Sequence, residues 1–581
     1  MSWLKMIVEL LPFLATISPL MGAAAIAVAA RAKLARTRMI AWSSAVLTFV
    51  LLGAVVWNFD PDRVDDRGRN EVSQMVVSFE GLAQSSATIF PRTGGSTTDV
   101  RIGGESAADQ ATSGLSGVDR APRGINVRLA FGIDGLTMWP AVWIALAVLA
   151  VLSLPTTSLS PGTRLPESSA VESSPQYCIA VLIAEAGLLG SLTARDVIVS
   201  LLSCEVAITA LYFLIGRWGG SERRAAAGRL LIFQRIGGGL TLLGATLIAV
   251  SWPWVRSDFD ARHRPLTFDL FGLVDGVRTM VARNEVAVEV WSDVAPWACL
   301  LLGIGFALRF PAFPFQRWYT QALEESSTGV ACLLAIALPQ VVFCGWVRFA
   351  MPLLVEEAIE LSWILGAAAA LGAIHAGLKA ASQSDLKKLA ASLSMGYLAL
   401  ALLAMRLPLR EGLTGAWLIV QTQGMVTAGL MLLIDFAQKQ LPHREHASVE
   451  GLAFDQPKRA AMLVLLLSVS GTMACASGAG SLLALSQLAW ETTPFAACGI
   501  ATLLLMTWSL LVTSQRILFG RANVASATPL HDLNPREFCI VMPFILLVAW
   551  LTLAPHAILK SSGATLTQLL QPHERRTDLN Q

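Results

Sequence analysis

At 581 residues the chain is long enough for several soluble domains, yet 54% of it is hydrophobic and only 14% charged, and its mean hydropathy is +0.59. Soluble domains carry roughly 25% charged residues, so this composition excludes a soluble enzyme and points to a polytopic membrane protein whose first partner is the lipid bilayer. A formal net charge of +2 gives no basis for a nucleic-acid partner; what matters is where the basic residues fall.

Apolar runs of roughly 20 residues, the length that crosses a ~30 Å hydrocarbon core, recur along the whole chain, and about fourteen meet that criterion. They lie near 6–30, 39–57, 136–154, 177–193, 197–216, 230–251, 298–315, 330–349, 361–380, 389–405, 413–434, 460–489, 494–514 and 538–555. The first run ends in small residues that resemble a cleavage site, but it exceeds the ~7–15 apolar residues of a signal peptide and reads as an uncleaved first helix. Connection 58–126 is rich in Ser, Gly, Thr, Asp and Arg, too polar to bury a core, and is expected to be mostly disordered. Connection 252–297 holds a mixed segment that predicts a short surface helix.

Basic residues mark the odd-numbered connections: Arg31, Lys33, Arg36 and Arg38 in the first, Arg217, Arg223 and Arg224 in the fifth, Lys387 and Lys388 in the ninth, Lys439, Arg444, Lys458 and Arg459 in the eleventh. With an even number of spans this puts those connections in the cytoplasm and both termini outside. The expected location is a cell inner (plasma) membrane.

Two spans are interrupted. Pro311 and Pro314 in ALRFPAFPFQRW free backbone carbonyls that protein or water must satisfy. In SGTMACASGAGS, Gly471, Gly478 and Gly480 permit an unwound stretch. The first break follows the span 197–216 by two spans and the second follows 389–405 by two, the pattern of repeats of inverted topology with the working site at mid-membrane.

Ionised groups in hydrocarbon cost at least ~2.5–3.5 kcal/mol each and commonly mark ion or proton routes. Glu205 stands in the middle of 197–216 and reads either as a relay carboxylate or as a packing ion pair. Arg309, beside the Pro311 break, is a permanent cation that can bias a carboxylate but cannot relay a proton by titration; it is expected to interact with Glu205. Arg235 competes for that role or snorkels to the interface. His375 and Lys379 are spaced i, i+4 on one helix face; His375 reads as interhelical glue or as part of a hydrated path, Lys379 as a snorkelling cation. Gln340 and Gln423 can support water or join helices. The eight cysteines form no CxxC pair and read as small buried hydrophobes, neither iron–sulfur ligands nor a disulfide framework. No GxGxxG on a βα unit, GxxxxGK[ST] or HExxH occurs, so no catalytic residue, metal site or cofactor site is expected in this chain.

FGIDGLTMW, the segment from Asp196 to ALYFLIGRWGG, GFALRFPAFPFQRW, SQSDLKKLAASLSMGYLAL and QRILFG together resemble the antiporter-like membrane subunits of respiratory complex I (NADH:quinone oxidoreductase), in the chain M or subunit 4 type. The resemblance implies an all-α membrane protein with two inverted five-helix repeats. It divides the chain into N-terminal helices (1–57), the polar insertion (58–126), an antiporter-like core (127–520) and a C-terminal helix and tail (521–581). It implies proton translocation along an axis of charged residues, coupled to quinone reduction, with NADH, FMN, iron–sulfur clusters and quinone held by partner subunits of the membrane and peripheral arms. Glu205 matches the family's fifth-helix glutamate and Arg309 its seventh-helix lysine. Gln340 stands for a lysine, Gln423 for a histidine, Leu482 for the twelfth-helix glutamate, Ala474 for a proline and Gln316 for a histidine. Half of the expected relay is thus neutral. The rival readings are a non-conducting scaffold of such a complex and a subunit of a multisubunit cation/proton antiporter.

Overall fold

The computed structural model describes residues 2–32, 37–59, 71–79, 87–91, 125–154, 174–255, 266–269, 273, 285–438, 453, 456–471, 476–520, 532–556 and 558–566. Its helices are α1 (Ser2–Arg31), α2 (Thr37–Asn58), α3 (Met138–Ser153), α4 (Pro175–Thr193), α5 (Val197–Trp218), α6 (Arg223–Val255), α7 (Glu285–Arg309), α8 (Arg317–Glu325) and α9 (Thr328–Gly345). A π-helical turn, Trp346–Ala350, follows α9, and then come α10 (Val355–Ser382), α11 (Leu386–Ala404), α12 (Arg410–Gln438), α13 (Pro457–Gly471), α14 (Ala476–Glu491), α15 (Thr493–Phe519) and α16 (Pro535–Leu553). Among the described residues twelve helices are long and apolar enough to cross a membrane. Helix α3, at 16 residues, and the separate halves α13 and α14 fall short of that length. The sequence expectation of about fourteen spans is therefore not confirmed by length alone, while the all-α, multi-pass architecture is.

Local chemistry starts these helices where the sequence places polar residues. Asp196 accepts hydrogen bonds from the backbone N–H groups of Ile198 and Val199 (2.9 and 3.3 Å) at the head of α5. Asp385 does the same for Lys387 and Lys388 (2.8 and 3.5 Å) at the head of α11. Each cap satisfies backbone donors that hydrocarbon would leave exposed.

A four-stranded sheet of order β2-β1-β3-β4 joins the second and sixth connections on one side of the bundle. Strand β1 (Glu71–Phe79) pairs antiparallel with β2 (Ala87–Pro91) and with β3 (Ile125–Asp134), and β3 runs parallel to β4 (Leu266–Thr267). Strands β1 and β2 fall inside the 58–126 insertion, where the sequence reading expects little order; EVSQMVVSF carries the valines and phenylalanine that favour a strand inside a polar surround. The remainder of that insertion lies outside the described residues. The surface helix expected in 252–297 is instead, from Glu285, the first part of α7, and most of 256–284 is outside the described residues.

Bridges Phe131↔Ala194 and Asp196↔Asp269 join the second, fourth and sixth connections at that same side. At the other side the fifth, seventh and ninth meet: the N–H of Gly220 donates to the carbonyl of Glu325 at 2.7 Å, and Lys387 Nζ to the carbonyl of Ser326 at 2.8 Å. The connections thus alternate between two faces, and α5 and α11 start from opposite ones, as inverted repeats require. Helices α9, α11 and α12 form the buried centre. Two glycine contacts bring helices together in each half: a Cβ on Gly237 of α6 would lie 2.8 Å from the carbonyl oxygen of Gly305 of α7, and one on Gly415 of α12 would lie 2.7 Å from that of Gly480 of α14. Only residues without side chains permit such backbone proximity.

Candidate functional site

Two polar sets stand out among the described residues, one in each repeat. In the first, Arg235 Nε lies 2.9 Å from Glu205 Oε2, and Arg235 Nη2 donates to Thr209 Oγ1 at 2.6 Å. Helix α6 brings Gly238 against Glu205, where a Cβ would fall 2.5 Å from Oε1, so the glycine makes room for the carboxylate. Arg309 packs against the adjacent Gly237. Its Nη2 contacts Cys204 Sγ at 2.7 Å, and its backbone carbonyl accepts from Gln234 Nε2 at 3.0 Å. The expected ion pair between Glu205 and Arg309 is thus corrected: Glu205 is paired with Arg235, which does not snorkel away. Successive positions of α5 point to different faces (100° apart on a helix), and Arg309 meets Cys204 rather than Glu205.

Arg309 also lines a cavity of about 90 Å³ with Ser191, Arg195, Asp196, Ser200, Thr241 and Arg348. That volume has room for several waters. The cavity reaches from the head of α5, at the sheet side, to Arg309, roughly 10 Å deeper along the helix. At its rim Arg348, in the π-helical turn, pairs with Asp134 at 2.9 Å, both side chains over nine-tenths buried, and Arg348 Nη1 donates to the carbonyl of Leu192 at 2.8 Å. Asp134 meanwhile accepts from the N–H groups of Leu136 and Thr137 and from the Thr137 hydroxyl.

The Pro311 and Pro314 break is as expected: α7 ends at Arg309, a non-helical turn follows, and α8 begins at Arg317. Beyond it, Lys379 Nζ lies 3.7 Å from Glu324 Oε1 and donates to Thr320 Oγ1 at 3.4 Å. Where the sequence reading has Lys379 snorkelling, its ammonium is held against α8 by these two contacts. His375, one turn earlier, is exposed on α10, with its ring 6.4 Å from that of Phe313; it lies outside the bundle interior.

In the second repeat the polar set around Ser394 and Gln423 is neutral. Tyr319 Oη and Ser394 Oγ are 2.9 Å apart, Gln423 Nε2 donates to Ser394 Oγ, and the same nitrogen donates to Thr427 Oγ1 at 2.9 Å. A cavity of about 10 Å³ beside Ser394 and Gln423 is close to the size of one water. Ser394 is nine residues beyond Asp385, as Glu205 is nine beyond Asp196, so the Ser394–Gln423 hydrogen bond is the counterpart of the Glu205–Arg235 pair. Gln340 is fully buried on α9, and neither its amide oxygen nor its nitrogen has a hydrogen-bond partner among the described residues. The Gly478 and Gly480 assignment is corrected: both lie within α14, and Gly480 serves the close packing on α12. The interval between α13 and α14, 472–475, lies outside the described residues. Leu482 is 45% exposed and faces away from the interior.

Two groups escaped the sequence reading. Asp134 stands inside the run FGIDGLTMW and Arg348 in the π-helical turn, but nothing local says that residues more than two hundred positions apart pair. Glu185, in the fourth apolar run, is fully buried on α4, with neither oxygen hydrogen-bonded among the described residues. The rule that singled out Glu205 applies equally to it. No cluster of His, Cys, Asp or Glu able to hold a metal ion occurs among the described residues.

Chemically, this arrangement offers proton-exchanging side chains at separated stations, Glu205 and the Glu324–Lys379 pair, with guanidinium groups that hold positive charge at all pH values. The buried amides and hydroxyls of Gln340, Ser394 and Gln423 can order water or pass hydrogen bonds.

Residues 194–507 match the family model described as NADH:quinone oxidoreductase/Mrp antiporter, TM. NADH-quinone oxidoreductase subunit M of Rhodobacter capsulatus is 24% identical over 480 residues, 80% of this chain and 86% of that protein. In fold, the chain is similar to a chain of respiratory complex I from Thermus thermophilus (TM-score 0.69, 21% identity, 96% of this chain and 99% of that one). It is also similar to a chain of the Mrp complex from Dietzia sp. DQ12-45-1b (TM-score 0.69, 14% identity, 97% and 98%). The family model spans more than half of the sequence and includes Glu205, Arg235 and Arg309, so the chain belongs to the family of transmembrane subunits shared by NADH:quinone oxidoreductases and Mrp antiporters.

Proposed function

We propose that this chain is a membrane-arm subunit of a proton-pumping NADH:quinone oxidoreductase and that it contributes to proton translocation coupled to quinone reduction, without a redox centre of its own. The observation that carries the reading is the Glu205–Arg235 pair on α5 and α6, a titratable carboxylate at mid-membrane within the family's matched region, where such groups mark ion pathways. The named relatives are NADH-quinone oxidoreductase M subunits, which favours this assembly over a cation/proton antiporter. NADH, FMN, iron–sulfur clusters and quinone are assigned to partner subunits, the location to the cell inner membrane, and both termini to the outside from the basic odd-numbered connections.

The test is proton uptake into vesicles at matched electron-transfer rate, comparing the native complex with Glu205→Gln. A lower number of protons per electron pair with unchanged assembly is the expected result. An unchanged ratio in a fully assembled Glu205→Gln complex would leave the non-conducting scaffold as the function.

A further inference from the structure

Pairing accounts for Arg235, which has Glu205, and for Arg348, which has Asp134. It does not account for Arg309. That side chain is 8% exposed, and among the described residues its guanidinium makes one hydrogen bond, from Nη2 to Cys204 Sγ at 2.7 Å, while Nε has no partner. A thiol offers a weak acceptor and not the full charge of a carboxylate. Glu205, the next residue along α5, is held by Arg235 on another face of the helix.

The cavity of about 90 Å³ between the sheet side and Arg309 is lined by hydroxyls whose protons are already committed. Ser200 Oγ donates to the carbonyl of Ser191 and Thr241 Oγ1 to that of Gly237, both at 2.8 Å. The Ser191 and Ser200 hydroxyls are 3.3 Å apart, and with the Ser200 proton on the carbonyl, Ser191 is the donor between them. What these side chains have left to offer is lone pairs, which accept from water and serve a hydrated proton or metal cation equally well. On hydroxyl chemistry alone the cavity is an inlet for cations.

Arg309 stands at its inner end. It closes α7 immediately before the Pro311 and Pro314 break, and the Glu324–Lys379 pair lies beyond that break, toward the face where the fifth, seventh and ninth connections meet. A guanidinium keeps its charge at every physiological pH. At an effective dielectric of ~20, one unit charge disfavours another of the same sign about 6 Å away roughly a hundredfold, the device by which a fixed arginine excludes protons and cations from a pore.

We propose that Arg309 is a fixed electrostatic barrier at the inner end of this cavity, excluding protons and metal cations and so sealing the first repeat against flow from the sheet side. In the orientation proposed above that side is outside, so the barrier opposes the return of pumped protons; the exclusion itself holds whether or not Glu205 conducts. The experiment measures passive proton leak with the intact complex in vesicles, without NADH, after an imposed pH step with the membrane potential clamped by potassium and valinomycin. Because nothing turns over, the result is independent of the proton-to-electron ratio that tests Glu205. Arg309→Gln and Arg309→Ala should each leak at least about tenfold faster per assembled complex than the native form. Millimolar guanidinium chloride should slow the Arg309→Ala leak, and urea, of the same shape without the charge, should not. Where neither variant assembles, Ser200→Cys reads the same charge with Arg309 in place. After correction for the parent complex, its thiol should prefer a negatively charged methanethiosulfonate reagent over a positively charged one by at least about tenfold relative to a free thiol. Assembled Arg309 variants as tight as the native complex, suppression by urea equal to that by guanidinium, or a Ser200→Cys thiol that is unreactive or lacks that preference would each overturn the proposal.

Discussion

Exchanging Glu205 for Gln keeps the side chain's shape and removes its charge, leaving Arg235, 2.9 Å away, without its counter-ion. An unpaired arginine at the centre of a span costs about 2.5–3.5 kcal/mol on insertion scales. The Arg235 side chain is 48% exposed, so part of that cost is relieved by snorkelling or by hydration. We therefore expect a coupling of about 1–3 kcal/mol between the two positions, in the range of groups in direct contact, or roughly 5- to 150-fold in turnover. The assay is a double-mutant cycle on quinone-dependent NADH oxidation with Glu205→Gln, Arg235→Gln and the double variant, normalised to assembled complex. The double variant should perform better than the product of the singles predicts. The parallel cycle with Arg309→Gln should show the weaker coupling, because Arg309 bonds Cys204 and packs on Gly237 while Glu205 occupies the space beside Gly238. Stronger coupling to Arg309 than to Arg235 would refute the assignment of partners.

Four further outcomes are expected. Arg348→Met should destabilise the chain by about 3–5 kcal/mol because it strands Asp134 in a buried site, and Asp134→Asn added to it should recover much of the loss; thermal denaturation of the purified complex reads both. Gln340→Leu removes two buried polar atoms that lack protein partners and should leave assembly intact, yet lower the proton-to-electron ratio if this amide orders water in the path; an unaltered ratio removes Gln340 from the route. Partial burial pushes the Asp532 carboxyl up, but three backbone N–H bonds and the Arg459 charge outweigh it and hold the group below its ordinary value. Its contribution is therefore present above the unfolded carboxylate pKa of about 3.9 and is lost as pH falls through the lower folded value, so the native chain and Asp532→Asn should differ in stability at neutral pH and converge in acid. A Ser106→Cys variant should react with an impermeant thiol reagent in intact cells, and labelling only after lysis would invert the orientation.

How much of this was legible in the residues depends on the range of the interaction. Asp196 and Asp385 announce themselves as caps because the groups that they bond are two and three residues away. Pro311 and Pro314 declare a break because a missing N–H acts locally. Glu205, Arg235 and Arg309 stood out as charges in apolar runs, but pairing is a tertiary fact: one step along α5 separates the residue that meets Arg309 from the one that meets Arg235. The glycines misled for the same reason. Gly480 lowers helix propensity, and it can equally serve a close contact with Gly415; sequence shows the first and only packing shows the second.

The inverted repeat makes the division of charge intelligible. Counting nine residues from each capping aspartate leads to Glu205 in one half and Ser394 in the other, and in each half that residue bonds a side chain on the following helix, Arg235 or Gln423. The second half thus keeps the contact while lacking the charge. A hydroxyl and an amide can hold water and pass hydrogen bonds, but they do not store a proton at physiological pH. Any transfer through that half has to move along water between the Glu324–Lys379 pair and the opposite face, with Ser394, Gln423 and Gln340 orienting it. Conduction there should then respond to the volume and polarity of those side chains more than to their charge, whereas in the first half the charge of Glu205 itself should govern it.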